Sequence, residues 1–230
     1  MTSPTPPLRL AVLGAGGRAG VAITATALAR GHQVAAIVRH PVQHRHLSAE
    51  GASIVAGDAL DLGTLAAATV GADALVSAVT PFTTPPPSFD GFDTDFYRKI
   101  NSNIVTAARA NGIPRVIIIG LFATLYLPTG GMVADDERLF PPALRSFATA
   151  HAAGVIPLEG QDADTDWLVL SPPADLSSAA TVTGRYQLGS RILDHQLGSL
   201  PLSYVDLASA VVDQIEHPTR HREHLAVYGV

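Results

Sequence analysis

The sequence predicts a doubly wound α/β fold, a parallel sheet with helices on both faces and a small C-terminal capping region. Three observations point there. Short apolar runs alternate with helical patterns over the first 120 residues, which implies parallel strands joined by right-handed crossovers. The first run leads into the glycine-rich turn "LGAGGRAG" and a helix of small residues. Hydrophobic residues make up 47% of the 230 residues and charged ones only 15%, enough apolar surface to cover both faces of such a sheet.

In chain order, residues 8–13 form the first strand and 18–30 the first helix. Strands follow at 33–38, 53–55 and 74–78, with a helix at 59–69 between the last two. These strands are short buried runs bounded by Gly, Pro or Asp. The helix at 93–111 ends in "NGIP", where Gly112 fits the position after the last turn and Pro114 blocks continuation. A strand at 116–119 then opens into the long connection "LFATLYLPTGGMVADDERLFPP", and loops of that length are usually functional. A helix from about 142 to 151, a strand at 167–170, the loop "SPPADLSSAATVTGRYQLG", a helix around 205–216 and a last strand near 224–228 complete the chain. With no internal repeat and no linker, residues 1–230 read as one domain. Residues 1–120 make its nucleotide-holding core, and 121–230 the last strands and the walls of a pocket.

Composition narrows the function. A net charge of −5 argues against a general nucleic-acid or anionic-membrane surface. Absence of cysteine removes disulfides, thiolate nucleophiles and thiolate metal sites together. The start "MTSPTPPLR" lacks the basic and apolar stretches of a secretion signal. The uncharged stretch 116–134 is interrupted by Gly120, Pro128, Gly130 and Gly131, which suits a buried strand entering a loop better than a membrane span. A cytoplasmic protein is expected, with a small molecule as partner and a second copy of the chain as the only macromolecular one.

A pyrophosphate needs backbone N–H groups and a helix N-terminus close by, with no bulky side chains between. Two registers fit the turn. Gly14, Gly16 and Ala19 match G-x-G-x-x-A, while Gly14, Gly17 and Gly20 match G-x-x-G-x-x-G. The second strand ends in Arg39. An acid there would bind a ribose 2′-hydroxyl, whereas a guanidinium grips a 2′-phosphate, so NADP(H) is expected over NAD(H). Arg18 is placed to join it. Asp58, after the third strand, stands near an adenine edge with Ala59 beside it; alternatively Asp58 or Asp61 caps the next helix. Small Ser77 and Ala78 at the end of the fourth strand let its backbone lie along the cofactor, and Pro81 turns the chain away.

The segments "LGAGGRAG", "IVRHP", "GDALD", "SAVTP", "ANGIPRVIIIG", "TDWLVLSPPADL", "TGRY" and "LSYVDLASAVVDQIE" together resemble the atypical short-chain dehydrogenase/reductases, in particular their NAD(P)H-binding, NmrA-like and flavin reductase-like branch. The resemblance spans nearly the whole chain. It implies a Rossmann-like fold with bound NADP(H) and a small-molecule redox reaction. It further implies a cofactor site of Gly14, Gly17, Arg18, Gly20, Arg39, Asp58 and the segment Ser77, Ala78, Val79 and Thr80. Gly120 and Leu121 would run beside the nicotinamide, and Ser171 with Pro172 and Pro173 would meet its carboxamide.

The sequence departs from that branch where chemistry is expected. No tyrosine has a lysine four residues on, and Lys99 is the chain's one lysine, so the Tyr-x-x-x-Lys proton donor is missing. The glycines and serine that follow the fifth strand in relatives are replaced by Leu121, Phe122, Ala123 and Thr124, and a histidine expected after the proline pair by Ala174. Thr124 and Tyr126 are the candidate catalytic hydroxyls, with loop packing as their alternative role. Asp175 is a candidate base or a turn residue, placed with Phe82 and Phe122 among the pocket walls. Those phenylalanines, with Phe89, Phe92 and Tyr126, suggest an apolar substrate, unless they fill the core beneath the loops. Lys99 suits a solvated helix face and His151 a helix-surface or core position. His217 and His221 have metal-ligand spacing, but Pro218 between them breaks the helix that would align them, so no metal is expected.

Two functions remain. One is an NADPH-dependent reductase of a small carbonyl, enone, quinone or flavin-like compound. The other is a redox-silent NADP-binding regulator or a non-redox isomerase or dehydratase on the same fold.

Overall fold

The computed structural model describes residues 6–82, 84–160 and 165–230; the N-terminal pentapeptide of the leader reading lies outside them. The elements run β1 (Arg9–Leu13), α1 (Arg18–Ala29), β2 (Gln33–Val38), a 3-10 turn (Pro41–His44), α2 (His46–Ala49), β3 (Ser53–Ala56), α3 (Leu62–Ala68) and β4 (Ala74–Ser77). Then come α4 (Phe96–Ala110), β5 (Arg115–Ile119), 3-10 turns at Phe122–Thr124, Val133–Asp135 and Pro142–Leu144, α5 (Arg145–Ala153), α6 (Ile156–Glu159) and β6 (Asp166–Ser171). The chain closes with β7 (Leu176–Ser177), β8 (Gln187–Leu188), a 3-10 turn (Leu197–Ser199), β9 (Leu202–Ser203), α7 (Tyr204–Glu216) and β10 (Glu223–Tyr228).

The sheet has the order β3-β2-β1-β4-β5-β6-β10-β8, the doubly wound α/β fold the sequence predicts. All pairs are parallel except β8, which runs antiparallel along β10. Alternate residues feed two cores. Leu10 and Val12 join Ile23 and Ala27 of α1 and Leu207 and Val211 of α7 on one face. Ala11 and Leu13 join Leu65 of α3 and Ile100 and Ile104 of α4 on the other. No helix among the described residues is long and apolar enough to cross a membrane.

Where boundaries differ from the expected ones, local capping explains it. The helix expected at 59–69 starts at Leu62, because Asp61 Oδ1 accepts the Thr64 N–H at 3.1 Å. The helix expected from 93 starts at Phe96, after Asp93 Oδ1 takes the Asp95 N–H at 3.0 Å. The helix expected at 142–151 is a 3-10 turn followed by α5, which extends to Ala153. β8 and the separate two-residue pair β7–β9 were not expected, because strands that short carry no periodicity.

The C-terminal half is pinned by one buried carboxylate. Asp206, 2% exposed, accepts from Gly184 N through Oδ1 at 2.8 Å and from Thr183 N through Oδ2 at 3.1 Å. Ser203 Oγ donates to Oδ2 at 2.8 Å, while accepting the Asp206 N–H at 3.0 Å as the cap of α7. The "TGRY" loop is thereby tied to the start of α7. Asp206→Asn would turn an NH₂ toward one of these donors, and a buried donor left unsatisfied costs about 1–3 kcal/mol. A loss of about 2 kcal/mol in urea unfolding, with the m-value unchanged, is expected. Unaltered stability would show that the carboxylate does not hold this loop.

Candidate functional site

Every strand from β1 to β6 points its C-terminal end to the same edge of the sheet, and the chain reverses its winding between β1 and β4. Crevices at that switch point are where open α/β sheets bind ligands. A cavity of about 500 Å³ opens there. It is lined by Gly14, Gly16 and Gly17 of the first turn, Arg39 after β2, Asp58 and Ala59 after β3, and Ala78, Val79, Thr80 and Phe82 after β4. These ten expected site residues are brought together. His44, Leu60, and Phe96 with Ile100 one turn apart on α4 complete the walls, and no motif in the sequence marks these four.

The glycines divide their tasks. Gly14 has φ +76°, and a Cβ on it would stand 2.7 Å from the Ala78 carbonyl oxygen, so the turn crosses directly over the end of β4. A Cβ on Gly20 would overlap the Gly14 carbonyl oxygen and Ala15 Cα, which fixes how closely α1 packs on the turn. Gly17 is the N-cap of α1 and donates to Gly14 O at 3.0 Å. No described side chain caps this helix, and its first turn holds no acid. Its leading N–H groups, those of Arg18 and Ala19 among them, lack intrahelical acceptors, and the helix dipole favours an anion there. Ala19 and Gly20 lie behind the lining, within α1.

Arg39 is exposed at the cavity rim and makes no hydrogen bond or ion pair with any described residue. Arg18 does not join it. Its guanidinium lies 5.6 Å from the ring centroid of Tyr204 at the head of α7, on the other side of α1, because cation–π stacking is available there. Asp58 and Asp61 share the alternatives left open for them. Asp61 caps α3, while half-buried Asp58 lines the cavity and accepts the Leu60 N–H at 2.9 Å. Ser77 is buried within β4, registered between Leu13 and Ile118. The turn after β4 is held from below by Tyr97, whose hydroxyl donates to the Val79 carbonyl at 3.3 Å. Burial pushes that phenol well above its ordinary pKa.

The second group of expected residues lies along β5 and β6. Gly120 donates to Leu170 O at 2.8 Å, and a Cβ on it would meet Ser171 Oγ at 2.5 Å. Leu121 beside it is half-buried, and Pro172 and Pro173 are buried next to Ser171. None of these four lines the cavity. The two candidate hydroxyls are not presented together. Thr124 is buried at 3% exposure and its hydroxyl donates to Leu121 O at 2.7 Å, so it is spent on closing its own 3-10 turn. Tyr126 is 38% exposed, with the Arg191 guanidinium 4.9 Å from its ring centroid. Asp175 is exposed, and its carbonyl accepts from Leu202 N at 3.1 Å. Phe122 packs half-buried beneath the loop, against the clusters of Leu125 and of Ala123. Phe89 and Phe147 stack at 4.5 Å between centroids, with Phe82, Phe92 and Tyr97 around them. Most of these aromatics are therefore core, and Phe82 is the one at the cavity. Lys99 pairs with Asp93 at 2.7 Å on the surface, and His221 with Asp166 at 2.8 Å.

A buried serine–histidine pair was missed altogether. Ser171 Oγ and His224 Nε2 lie 2.9 Å apart, with both side chains buried and His224 Nδ1 without a hydrogen-bond partner among the described residues. The two stand on adjacent strands separated by 53 positions, so no local motif announces them. Burial holds the His224 imidazole down at about 4, helped by the charge of Arg191. His151, its ring 3.7 Å from that of Tyr97, is lowered to about 3, mainly by burial and then by His224.

A family model described as NAD(P)H-binding matches residues 14–218. A solved structure from Burkholderia pseudomallei, named as an exported protein, is 31% identical over 96% of this chain and 100% of that one, with a TM-score of 0.80. One from Bacteroides thetaiotaomicron, named as an epimerase, is 26% identical over 98% of each chain, with a TM-score of 0.82. A third, from Streptococcus pneumoniae TIGR4 and named as an NADH-flavin reductase, is 26% identical over 97% of this chain and 100% of that one, with a TM-score of 0.78. All three names are provisional ones.

Two histidines, buried His224 and half-buried His151, make stability depend on pH. Unfolded, each takes up a proton near pH ~6.5; folded, His224 does so only near 4 and His151 near 3. Between those values the unfolded chain binds more protons, so acid favours unfolding. Stability is fully present above about pH 6.5 and falls as pH drops toward 4, with a limiting slope of about 1.4 kcal/mol per pH unit for each histidine. Urea unfolding at pH ~7 and ~5 should show this loss, and His224→Gln should reduce it. An equal loss in the variant would remove His224 as its source.

Proposed function

The chain belongs to the NAD(P)H-binding family, and from that premise we propose that it is an NADPH-dependent reductase of a small, largely apolar carbonyl, enone, quinone or flavin-like compound. The observation that carries this reading is the cavity at the β1–β4 switch point, with a helix start on one side and an arginine at its rim that no described side chain caps or pairs. The residues fit the dinucleotide. Gly14 and Gly17 leave the pyrophosphate room beside the first-turn N–H groups of α1. Arg39 would hold the 2′-phosphate, Asp58 and Ala59 the adenine edge, and the backbone of Ala78, Val79 and Thr80 the flank. The nicotinamide would lie toward Gly120, Leu121, Pro172 and Pro173. When bound, NADPH would supply a hydride to an electrophilic atom of the acceptor.

The protein's own part is to position the reactants and exclude water. Thr124 is closed onto Leu121, and Ser171 and His224 are sealed from solvent. A substrate that takes its proton from water after reduction, such as a quinone or a flavin, therefore fits better than one needing a strong protein acid. Half-buried Leu121 and Phe122 and the cavity-facing Phe82 support an apolar substrate. A free nicotinamide cofactor is supplied inside cells, which supports a cytoplasmic location. The missing Tyr-x-x-x-Lys and the occupied Thr124 hydroxyl favour one second reading, a protein that binds NADP without redox turnover, as a regulator or a non-redox isomerase or dehydratase.

Mixing the protein with NADPH and a panel of quinones, flavins and enones, and following the nicotinamide absorbance, separates the two. Consumption of NADPH with at least one acceptor class is expected; tight binding without turnover across the panel would leave the second reading standing. Arg39→Ala should weaken NADPH binding by roughly 10- to 100-fold, the worth of a charge-assisted contact, and leave NADH binding nearly unchanged. Equal effects on both nucleotides would falsify the 2′-phosphate assignment.

A further inference from the structure

Residues 39–46, "RHPVQHRH", place five arginines and histidines within eight positions, and the structure gives one of them a distinct location. The 3-10 turn Pro41–His44 brings the His44 ring back onto the glycine turn. A Cβ on Gly16 would overlap the ring at Cε1 and stand 2.6 Å from Nδ1 and 2.7 Å from Nε2. Gly16 is therefore needed to admit an imidazole. His44 and Arg39 line the same cavity, and His44 makes no hydrogen bond or ion pair with any described residue. Its one ring neighbour is His46, 6.0 Å away between centroids.

We propose that His44 is a second, protonation-dependent ligand of the cofactor's 2′-phosphate, so that the preference for the phosphorylated nucleotide is set by the charge on His44 as well as by Arg39. The proposal rests on the reading of this cavity as an NADPH site. A phosphate monoester presents three acceptor oxygens and about −1.5 to −2 charges at neutral pH. A guanidinium engages two of the oxygens in a fork, which leaves one for a donor on another side. His44, between the Arg39 rim and the first turn, supplies that side.

The groups facing His44 set the sign of the effect. From its own segment come Arg39, His40, Arg45 and His46; across the cavity stands Asp58; the glycine turn offers backbone alone, since Arg18 turns away to Tyr204. A bound phosphate favours the protonated form of an imidazole beside it, so binding the 2′-phosphate draws a proton in. An imidazole changes charge over roughly pH 5 to 8, and its contribution fades as pH rises. The phosphate's own second ionisation, near pH ~6, acts the opposite way, and a variant without the imidazole isolates it.

The test is calorimetric binding of 2′-phospho-ADP-ribose and of ADP-ribose, from about pH 6 to about pH 8.5, to the wild-type chain, His44→Gln, His44→Lys and Arg39→Ala. The wild type is expected to discriminate for the 2′-phosphate about tenfold better than His44→Gln near pH 6, with the two converging near pH 8.5. His44→Lys should hold the advantage at every pH, and proton uptake on binding should vanish in His44→Gln. Parallel discrimination by wild type and His44→Gln at all pH values overturns the role of His44. If Arg39→Ala still loses discrimination in that case, the NADPH reading survives on its own. A wild type that binds both ligands equally sinks both.

Discussion

The site depends on one close approach: the backbone of the first turn passes over the end of β4 and under the start of α1 with no side chains between. Gly14 sits 2.7 Å, by its would-be Cβ, from Ala78 O, and Gly20 is pressed against Gly14 O. At each position a methyl group would have to displace backbone, which a packed sheet and helix do not yield. Because α1 is held this near, its uncapped N-terminus points at the cavity rather than over it. The parallel registers of β1 with β2 and β4 and of β2 with β3 then deliver Arg39, Asp58 and Val79 around the same opening.

This constraint explains what could be read from the residues alone. Strands and helices of the first half follow from hydrophobic periodicity, and each turn after a strand falls at the sheet edge where ligands bind. Arg39 was legible because the end of the second strand has a fixed place in such a sheet. Asp58 and Asp61 were legible as a pair and not individually: which carboxylate caps and which faces the cavity depends on a start of α3 shifted by one turn. Arg18 was misplaced, since a residue one step past a glycine can lie on either side of its helix, and Tyr204 is 186 positions away.

What was illegible shares a physical cause. His44, Ser171 and His224 acquire their partners across strands or from a turn that doubles back, and neither leaves a spacing signal in the chain. The two glycine registers show the same limit. Gly14, Gly17 and Gly20 account for the crossing, the cap and the helix contact, so G-x-x-G-x-x-G describes the turn. Gly16, the mark of the other register, answers instead to the imidazole of His44. A glycine pattern read as a nucleotide fingerprint thus contains one position explained by a side chain 28 residues later.

The two halves of the candidate site are built on different principles. Around the cavity, charges and N–H groups are left open: among the described residues, no side chain caps α1 and none pairs with Arg39. After β5, and between β6 and β10, two hydroxyls are closed onto neighbours: Thr124 onto Leu121 O and Ser171 onto His224. His224 on β10 is held neutral by burial, and a neutral, buried imidazole stabilises packing rather than delivering protons to a bound molecule. An arrangement open to an anion and closed to proton traffic favours chemistry whose driving force resides in the cofactor. Its demand on the protein is that the reacting atoms be held together in a dry place. On that reading the loss of the tyrosine–lysine pair does not disable the site; it narrows the acceptors to those that water can protonate.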